Sequence, residues 1–231
     1  MKAVVLLSSG LDSTVNLYMA ARQMQKPVFD QLLALQFDYG QKAFAKENLQ
    51  AAKICNQLNL PFKTVKLPFI ADWNVSSLIN QNQSIPQGES VQINDPVVSG
   101  ATAKSVWVPN RNGIFLNIAA GFAEALNYQY VIPGFNIEEA QTFADNSMGF
   151  IQELEKCFSY STNNQVKVHC YTIDKNKTQI VQMGQKLGVD FKNIWPCYQS
   201  LDKWCGVCES CKRAKRAFAE NQIDMGDFFA V

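Results

Sequence analysis

Short unbroken apolar runs alternate along the chain with stretches whose apolar residues recur every three to four positions. Ala3 to Leu7 reads as a buried strand. A helix follows from about Asp12 to Gln23, with Leu11, Val15 and Tyr18 or Met19 on one face. Leu32 to Phe37 is a second buried run, and Lys42 to Leu58 reads as a helix with Ala51, Ile54, Cys55 and Leu58 in register. Phe62 to Leu67 is a third strand. Asn112 to Leu126 is apolar nearly all round, which predicts a helix buried on several sides. Tyr130 to Ile132 is a fourth strand, ending at Pro133-Gly134. Ser147 to Ser159 carries Phe150, Ile151, Leu154 and Phe158 on one face. Val166, Val168 and Cys170 alternate with Lys167 and His169, giving a fifth strand, and Lys177 to Leu187 is again helical. The least regular stretch, Pro68 to Val106, is rich in Asn, Gln and Ser. It is either a functional lid or partly disordered. Beyond Trp195 the pattern gives way to cysteines and a basic helix, Lys212 to Glu220.

This βαβα order predicts an α/β fold: a doubly wound, mostly parallel five-stranded sheet covered by helices on both faces. Residues 1–190 are expected to form this domain, and residues 191–231 a small cysteine-rich subdomain. In such sheets ligands sit at the carboxyl ends of the strands, near the point where strand order reverses. Residues just after strands are therefore the candidates for function.

Composition narrows the reading. With 231 residues the chain can bury a full core, and 21 basic against 20 acidic residues leave a charge of +1. That balance gives no reason to expect direct nucleic-acid binding. No apolar run is long enough for a membrane span, and the first apolar stretch is too short for a secretory signal, so a cytoplasmic protein is expected. A homodimer is compatible with the sequence. The single histidine, His169, argues against histidine-based catalysis.

Leu7-Ser8-Ser9-Gly10-Leu11-Asp12-Ser13-Thr14 joins the first strand to the first helix. Free backbone N–H groups at a helix start, with the hydroxyls of Ser8, Ser13 and Thr14, make an anion site. A tight turn with Asp12 or Ser13 as helix cap reads the same residues equally well. Neither a Walker loop nor a dinucleotide fingerprint is present. Phe37-Asp38-Tyr39-Gly40-Gln41 follows the second strand and is a plausible turn by itself. Arg111, in Val108-Pro109-Asn110-Arg111-Asn112, stands at the mouth of the buried helix and favours a phosphate clamp over a solvated cap. After the fourth strand come Gly134-Phe135-Asn136-Ile137-Glu138-Glu139 and Thr142-Phe143-Ala144-Asp145-Asn146, where Asp145 or Asn146 could also cap the next helix. Lys177, behind Asp174, is either a solvated first-turn lysine or a phosphate ligand.

Seven cysteines are unevenly placed, and Cys197, Cys205, Cys208 and Cys211 fall close together. Four thiolates at these spacings fit a closed tetrahedral zinc site. An iron–sulfur cluster is the rival, since Cys205, Cys208 and Cys211 match part of a ferredoxin run, but no fourth cysteine follows Cys211.

The Ser8–Ser13 segment resembles the pyrophosphate loop Ser-Gly-Gly-x-Asp-Ser of the PP-loop ATP pyrophosphatases, with Ser9 in place of a glycine. In order and combination, the motifs from Val4 to about Phe218 resemble one family, the 7-cyano-7-deazaguanine (preQ0) synthases, or QueC family. Asn110 departs from the more usual glycine, and Thr142-Phe143-Ala144-Asp145-Asn146 replaces a Gly-Tyr-Pro-Asp-Cys version. The resemblance implies a Rossmann-like PP-loop (HUP) domain and a C–N bond-forming ligase of queuosine biosynthesis. Its substrates would be ATP with Mg²⁺, 7-carboxy-7-deazaguanine and ammonia. The carboxylate would be adenylated, ammonia would displace AMP, and a second activation would dehydrate the amide to the nitrile.

It further implies that Leu7, Ser8, Ser9, Gly10, Leu11, Asp12, Ser13 and Thr14, with Phe37, Asp38, Tyr39 and Gln41, hold ATP. Asp12, Ser13, Arg111 and Lys177 would serve catalysis. Arg111, Asn112, Phe143 and Asp145 would hold the deazaguanine acid, and the four cysteines one structural Zn²⁺. Another PP-loop adenylating enzyme, such as a tRNA thiolase or a protein-directed deazaguanine transferase, and a non-catalytic ATP- and zinc-binding module are the alternatives.

Overall fold

The computed structural model describes residues 1–22 and 27–231. Among them, five strands form one sheet: β1 (Lys2–Leu6), β2 (Gln31–Asp38), β3 (Phe62–Lys66), β4 (Tyr130–Ile132) and β5 (Lys167–Val168). Every pairing is parallel, and the order is β3-β2-β1-β4-β5. The chain builds outward from β1 to β3, then returns to place β4 on the other side of β1. The switch point therefore lies between β1 and β4, as the doubly wound reading expects.

Helix α1 (Leu11–Arg22) is buried from Leu11 to Ala20 rather than along one stripe. It packs against β1 and also against α8 (Lys177–Leu187), which in turn carries α9 (Glu209–Glu220). The last residue of the predicted first helix, Gln23, lies outside the described residues. Helix α2 (Phe44–Gln57) lies against β2, the short α6 (Ile137–Ala140) follows β4, and α7 (Met148–Ser161) lies against β5. Helix α5 (Arg111–Ala125) sets Leu116, Ala119, Ala120 and Ala123 against β1 and β4, with Ile114, Phe115, Ile118 and Phe122 half-buried around them.

Two expectations needed revision. The fifth strand pairs only through Lys167 and Val168, because β4, its one neighbour, is three residues long. The predicted alternation nevertheless survives as burial, with Val166, Val168 and Cys170 all inside. Residues 68–106, which read as the least regular stretch, are instead a packed run of short helices and turns. They hold α3 (Pro68–Trp73), a 3₁₀ turn at Gly88–Ser90 and α4 (Pro96–Val106), whose first turn is capped by Asp95 through the N–H groups of Val97 and Val98. Ile70, Leu78, Ile79 and Ile85 anchor the segment in the core, and Ser77 and Ser105 tie its two ends together. Spaced single anchors leave no periodic signature for a sequence reading to find.

The core continues from the sheet through Phe191, Ile194 and Trp195 to Trp204 and Phe218 in the C-terminal segment. Trp204 packs edge-on to Phe229 at 5.1 Å. Lys212 Nζ donates to the carbonyls of Gly88 and Val91, each at 2.7 Å, and joins α9 to the long insertion. No helix among the described residues is long and apolar enough to cross a membrane.

Candidate active site

The loop after β1 turns sharply because Ser9 adopts a left-handed conformation, φ +59°. Glycine takes this geometry without strain, whereas a side chain there costs about 1 kcal/mol. Helix α1 begins at Leu11, so Asp12 and Ser13 stand inside its first turn and neither is the cap. Ser8 N–H donates to Ser13 Oγ (3.3 Å), and Ser13 Oγ donates back to the Gly10 carbonyl (3.2 Å). Gly134, just past β4, lets the two switch-point segments meet: a Cβ there would stand 2.6 Å from Ser13 N.

A cleft opens over the carboxyl ends of β1, β2 and β4. From the first loop Leu7, Ser8, Gly10, Leu11, Asp12 and Ser13 line it, and from the second motif Phe37, Tyr39 and Gln41. Arg111 and Asn112, Phe143 and Asp145, and Lys177 complete the set. Ser9, Thr14 and Asp38 do not line it. Ser9 and Thr14 point inward, their hydroxyls buried without partners among the described residues. Asp174 lies outside, paired with Lys175 at 2.9 Å.

Lys177 is buried between two carboxylates. It pairs with Asp12 Oδ2 and, at 2.7 Å, with Glu139 Oε1. Burial opposes its charge, but the two acids outweigh that and keep it protonated. They do not gain equally. Burial pushes Asp12 up to about 6 against the pull of Lys177, whereas Lys177 holds Glu139 below the usual range despite burial. Asp12 Oδ1 is buried and has no hydrogen-bond partner among the described residues. An unpaired carboxylate oxygen in such a place suits a hard cation.

Arg111 opens α5, where the helix dipole disfavours a positive charge. Asn110 precedes it at φ +51°, a conformation Asn tolerates better than most residues, which accounts for its standing at a glycine-like position. Arg111 carries five N–H donors. Among the described residues it makes one hydrogen bond, 3.4 Å to the Tyr39 hydroxyl. A half-buried guanidinium so poorly paired is ready for an anion.

Asp145 sits in a 3₁₀ turn, Ala144–Asn146, and is not the cap of α7. Ser147 caps that helix, accepting from Phe150 N–H at 3.1 Å. Among the described residues Asp145 Oδ1 accepts from the Asn146 side chain, Nδ2, at 3.2 Å, and from no other side chain. Burial raises its pKa while Arg111 opposes. Nearby, Phe143 stacks on Trp107, ring centroids 5.7 Å apart and planes 12° from parallel.

The Sγ atoms of Cys197, Cys205, Cys208 and Cys211 all lie within 4.8 Å of one another, buried and free of disulfides. Cys205 and Cys211 are 3.8 Å apart. Four sulfurs about 2.3 Å from one tetrahedral ion stand about 3.8 Å apart, so the set could hold a single metal. A four-iron cluster needs its thiolates farther apart to make room for the cube. The N–H groups of Cys205 and Cys208 donate to Cys197 Sγ (3.4 Å) and Cys205 Sγ (3.3 Å), as suits thiolates. Gly206 turns the chain between ligands at φ +76°, and a side chain there would collide with the Val231 carbonyl.

Several lining residues carried no sequence assignment. Glu139 was visible only as part of a motif. Glu47, one turn into α2, bonds Gln41 Nε2 at 2.9 Å, and burial pushes its carboxyl up to about 7. Trp107, Tyr198 and Arg213 also reach the cleft. Tyr198 stands next to a metal-site cysteine, which was the one available hint.

The family model for queuosine biosynthesis protein QueC matches residues 2–222. A 7-cyano-7-deazaguanine synthase of Bdellovibrio bacteriovorus is 54% identical over 99% of this chain and 97% of its own length. One from Carboxydothermus hydrogenoformans is 44% identical over 95% of this chain and 99% of its own. Among solved structures, the U34-tRNA thiolase NcsA from Methanococcus maripaludis, described with its [4Fe-4S] cluster, superposes with a TM-score of 0.52. Its identity is 14%, over 96% of this chain and 66% of that one, which is a likeness of fold alone. With the family model spanning nearly the whole chain and full-length relatives this similar, the chain belongs to the QueC family of queuosine biosynthesis proteins.

Proposed function

We propose that this chain is a 7-cyano-7-deazaguanine synthase, and that the cleft at the β1/β4 switch point is where it works. ATP adenylates the carboxylate of 7-carboxy-7-deazaguanine and releases pyrophosphate. Ammonia then displaces AMP to give the amide. A second ATP activates the amide oxygen, and loss of AMP leaves the nitrile. The observation that supports this most is the convergence, on one cleft, of the Ser8–Ser13 loop, an under-paired Arg111 and the under-paired carboxylate Asp145.

The backbone and hydroxyls of Ser8, Gly10 and Ser13 bind the phosphates, and Arg111 and Lys177 offset their charge. A carboxylate cannot bind phosphate directly, so Asp12, with its unpaired Oδ1, and Glu139 are the residues that would hold Mg²⁺. When bound, Mg²⁺ would ease the departure of pyrophosphate. Asp145 accepts the adjacent N–H groups of the guanine-like edge, and Phe143 stacks on the ring. Residues 191–231 act as a subdomain whose four cysteines would hold Zn²⁺, and the bound ion would stabilise the fold without entering the chemistry.

The test is incubation with ATP, Mg²⁺, ammonium and 7-carboxy-7-deazaguanine, followed by mass spectrometry. Nitrile should accumulate only with all four components, and its absence with folded, ATP-binding protein would refute the proposal. Elemental analysis of anaerobically purified protein should give one zinc per chain. Iron with acid-labile sulfide would overturn the zinc assignment.

A further inference from the structure

The metal site is tied to the cleft on both of its flanks. Upstream of Cys197, the Trp195 backbone N–H donates to the Ser9 carbonyl at 2.8 Å and so grips the strained turn of the phosphate loop. Downstream, Cys208 and Cys211 fix the first turn of α9, and one turn further on lie Arg213 and Arg216. Arg213 Nη1 reaches Glu138 Oε2 at 2.9 Å, and Arg216 Nη2 reaches both Glu138 oxygens, at 2.6 and 2.7 Å. Glu138 also accepts the backbone N–H of Lys177 at 2.9 Å. Its neighbour Glu139 holds the Lys177 ammonium. Behind this hub Glu209 accepts from Arg213 (2.9 Å) and from Thr102 of α4 (3.3 Å).

Buried carboxylates and guanidiniums are stable only when fully paired, and removing one partner leaves the others stranded. Glu138 fulfils this condition with two arginines and one backbone donor, and its side chain is 13% exposed. Its two oxygens already accept four hydrogen bonds and leave no acceptor site for a ligand. Its placement fixes the start of α8 and with it the position of Lys177.

We infer that Glu138, Arg213 and Arg216 are positioning residues, through which the four-cysteine metal site sets Lys177, and with Trp195 the phosphate loop, in their working geometry. The metal site is then part of the nucleotide cradle, clamping its lysine and its turn from one side. This rests on the reading of Lys177 as a phosphate-facing charge, and the test separates the two.

Arg216→Ala and Glu138→Gln are compared in the otherwise wild-type chain and in a Lys177→Met background. Metal content and circular dichroism are recorded for each. With one metal retained per chain, either variant should lower kcat for pyrophosphate release about tenfold, with KM for the deazaguanine acid within twofold, because the disturbed charge acts at the departing phosphates. On top of Lys177→Met neither should cost a further factor. Wild-type kcat in metal-loaded Arg216→Ala, or losses that multiply in the Lys177→Met background, would overturn the inference. Lys177→Met retaining wild-type kcat would instead overturn the reading of Lys177. If Arg216→Ala does not fold, Glu138→Gln, which keeps volume and an acceptor, makes the same test.

Discussion

Two buried polar regions lie side by side in this molecule and differ in how completely they are paired. Around Glu138, both carboxylate oxygens and the facing arginines have partners, and the pull of Arg216, the Lys177 N–H and Arg213 holds the Glu138 carboxyl below its usual range despite burial. In the cleft the balance reverses. Asp12 and Glu47 are pushed up to about 6 and about 7, Arg111 has one long side-chain hydrogen bond, and Asp12 Oδ1 is buried with no partner among the described residues. An unmade buried hydrogen bond costs roughly 1–3 kcal/mol. The molecule meets that condition in one region and leaves it unmet in the other, which marks the first as framework and the second as a place for ligands.

The contrast is sharpened by changing groups on the under-paired side. Asp145→Asn should have the largest effect, lowering kcat/KM for the deazaguanine acid about 100-fold, because one acceptor becomes a donor facing a donor. ATP affinity and Tm should hardly change. Wild-type kcat/KM in steady-state assays would move base recognition elsewhere.

Glu47→Gln should act on stability through pH. The native Glu47 carboxyl holds its proton to about 7, against 4.5 for the ordinary group. Between those values the folded chain binds more protons than the unfolded one, so stability falls as pH rises through that window. The variant escapes this loss. Calorimetry without ligands should show its Tm above wild type by about 7–14 °C at pH 8, with no difference at pH 4. A lower Tm at pH 8 would mean that the charged form is favoured.

Ser9→Gly should have the smallest effect. It relieves the left-handed strain and removes an unpaired hydroxyl, partly offset by a more flexible unfolded chain, so Tm should rise by about 1–3 °C with KM for ATP unchanged. A raised KM for ATP would make the hydroxyl a phosphate donor.

The five strands and their parallel sheet were legible because parallel strands are unbroken apolar runs between helical periods. Most motif residues proved to share one cleft, since each follows a strand. The order in residues 68–106 was not legible, because isolated anchors such as Ile70 and Ile85 have no period. Nor was the inward turn of Thr14, which depends on helix phase, or the cap of α7, where Ser147 rather than Asp145 or Asn146 satisfies the first turn. The Glu138 hub joins residues 75 and 78 positions apart, a pairing that only the fold creates.

The most direct measurement is the ratio of AMP to nitrile in a complete reaction. Two activations at one cleft predict two AMP and two pyrophosphate for each nitrile formed from the acid, and one of each when the amide is supplied instead. A ratio of one from the acid, or ADP and phosphate in place of AMP and pyrophosphate, would contradict it.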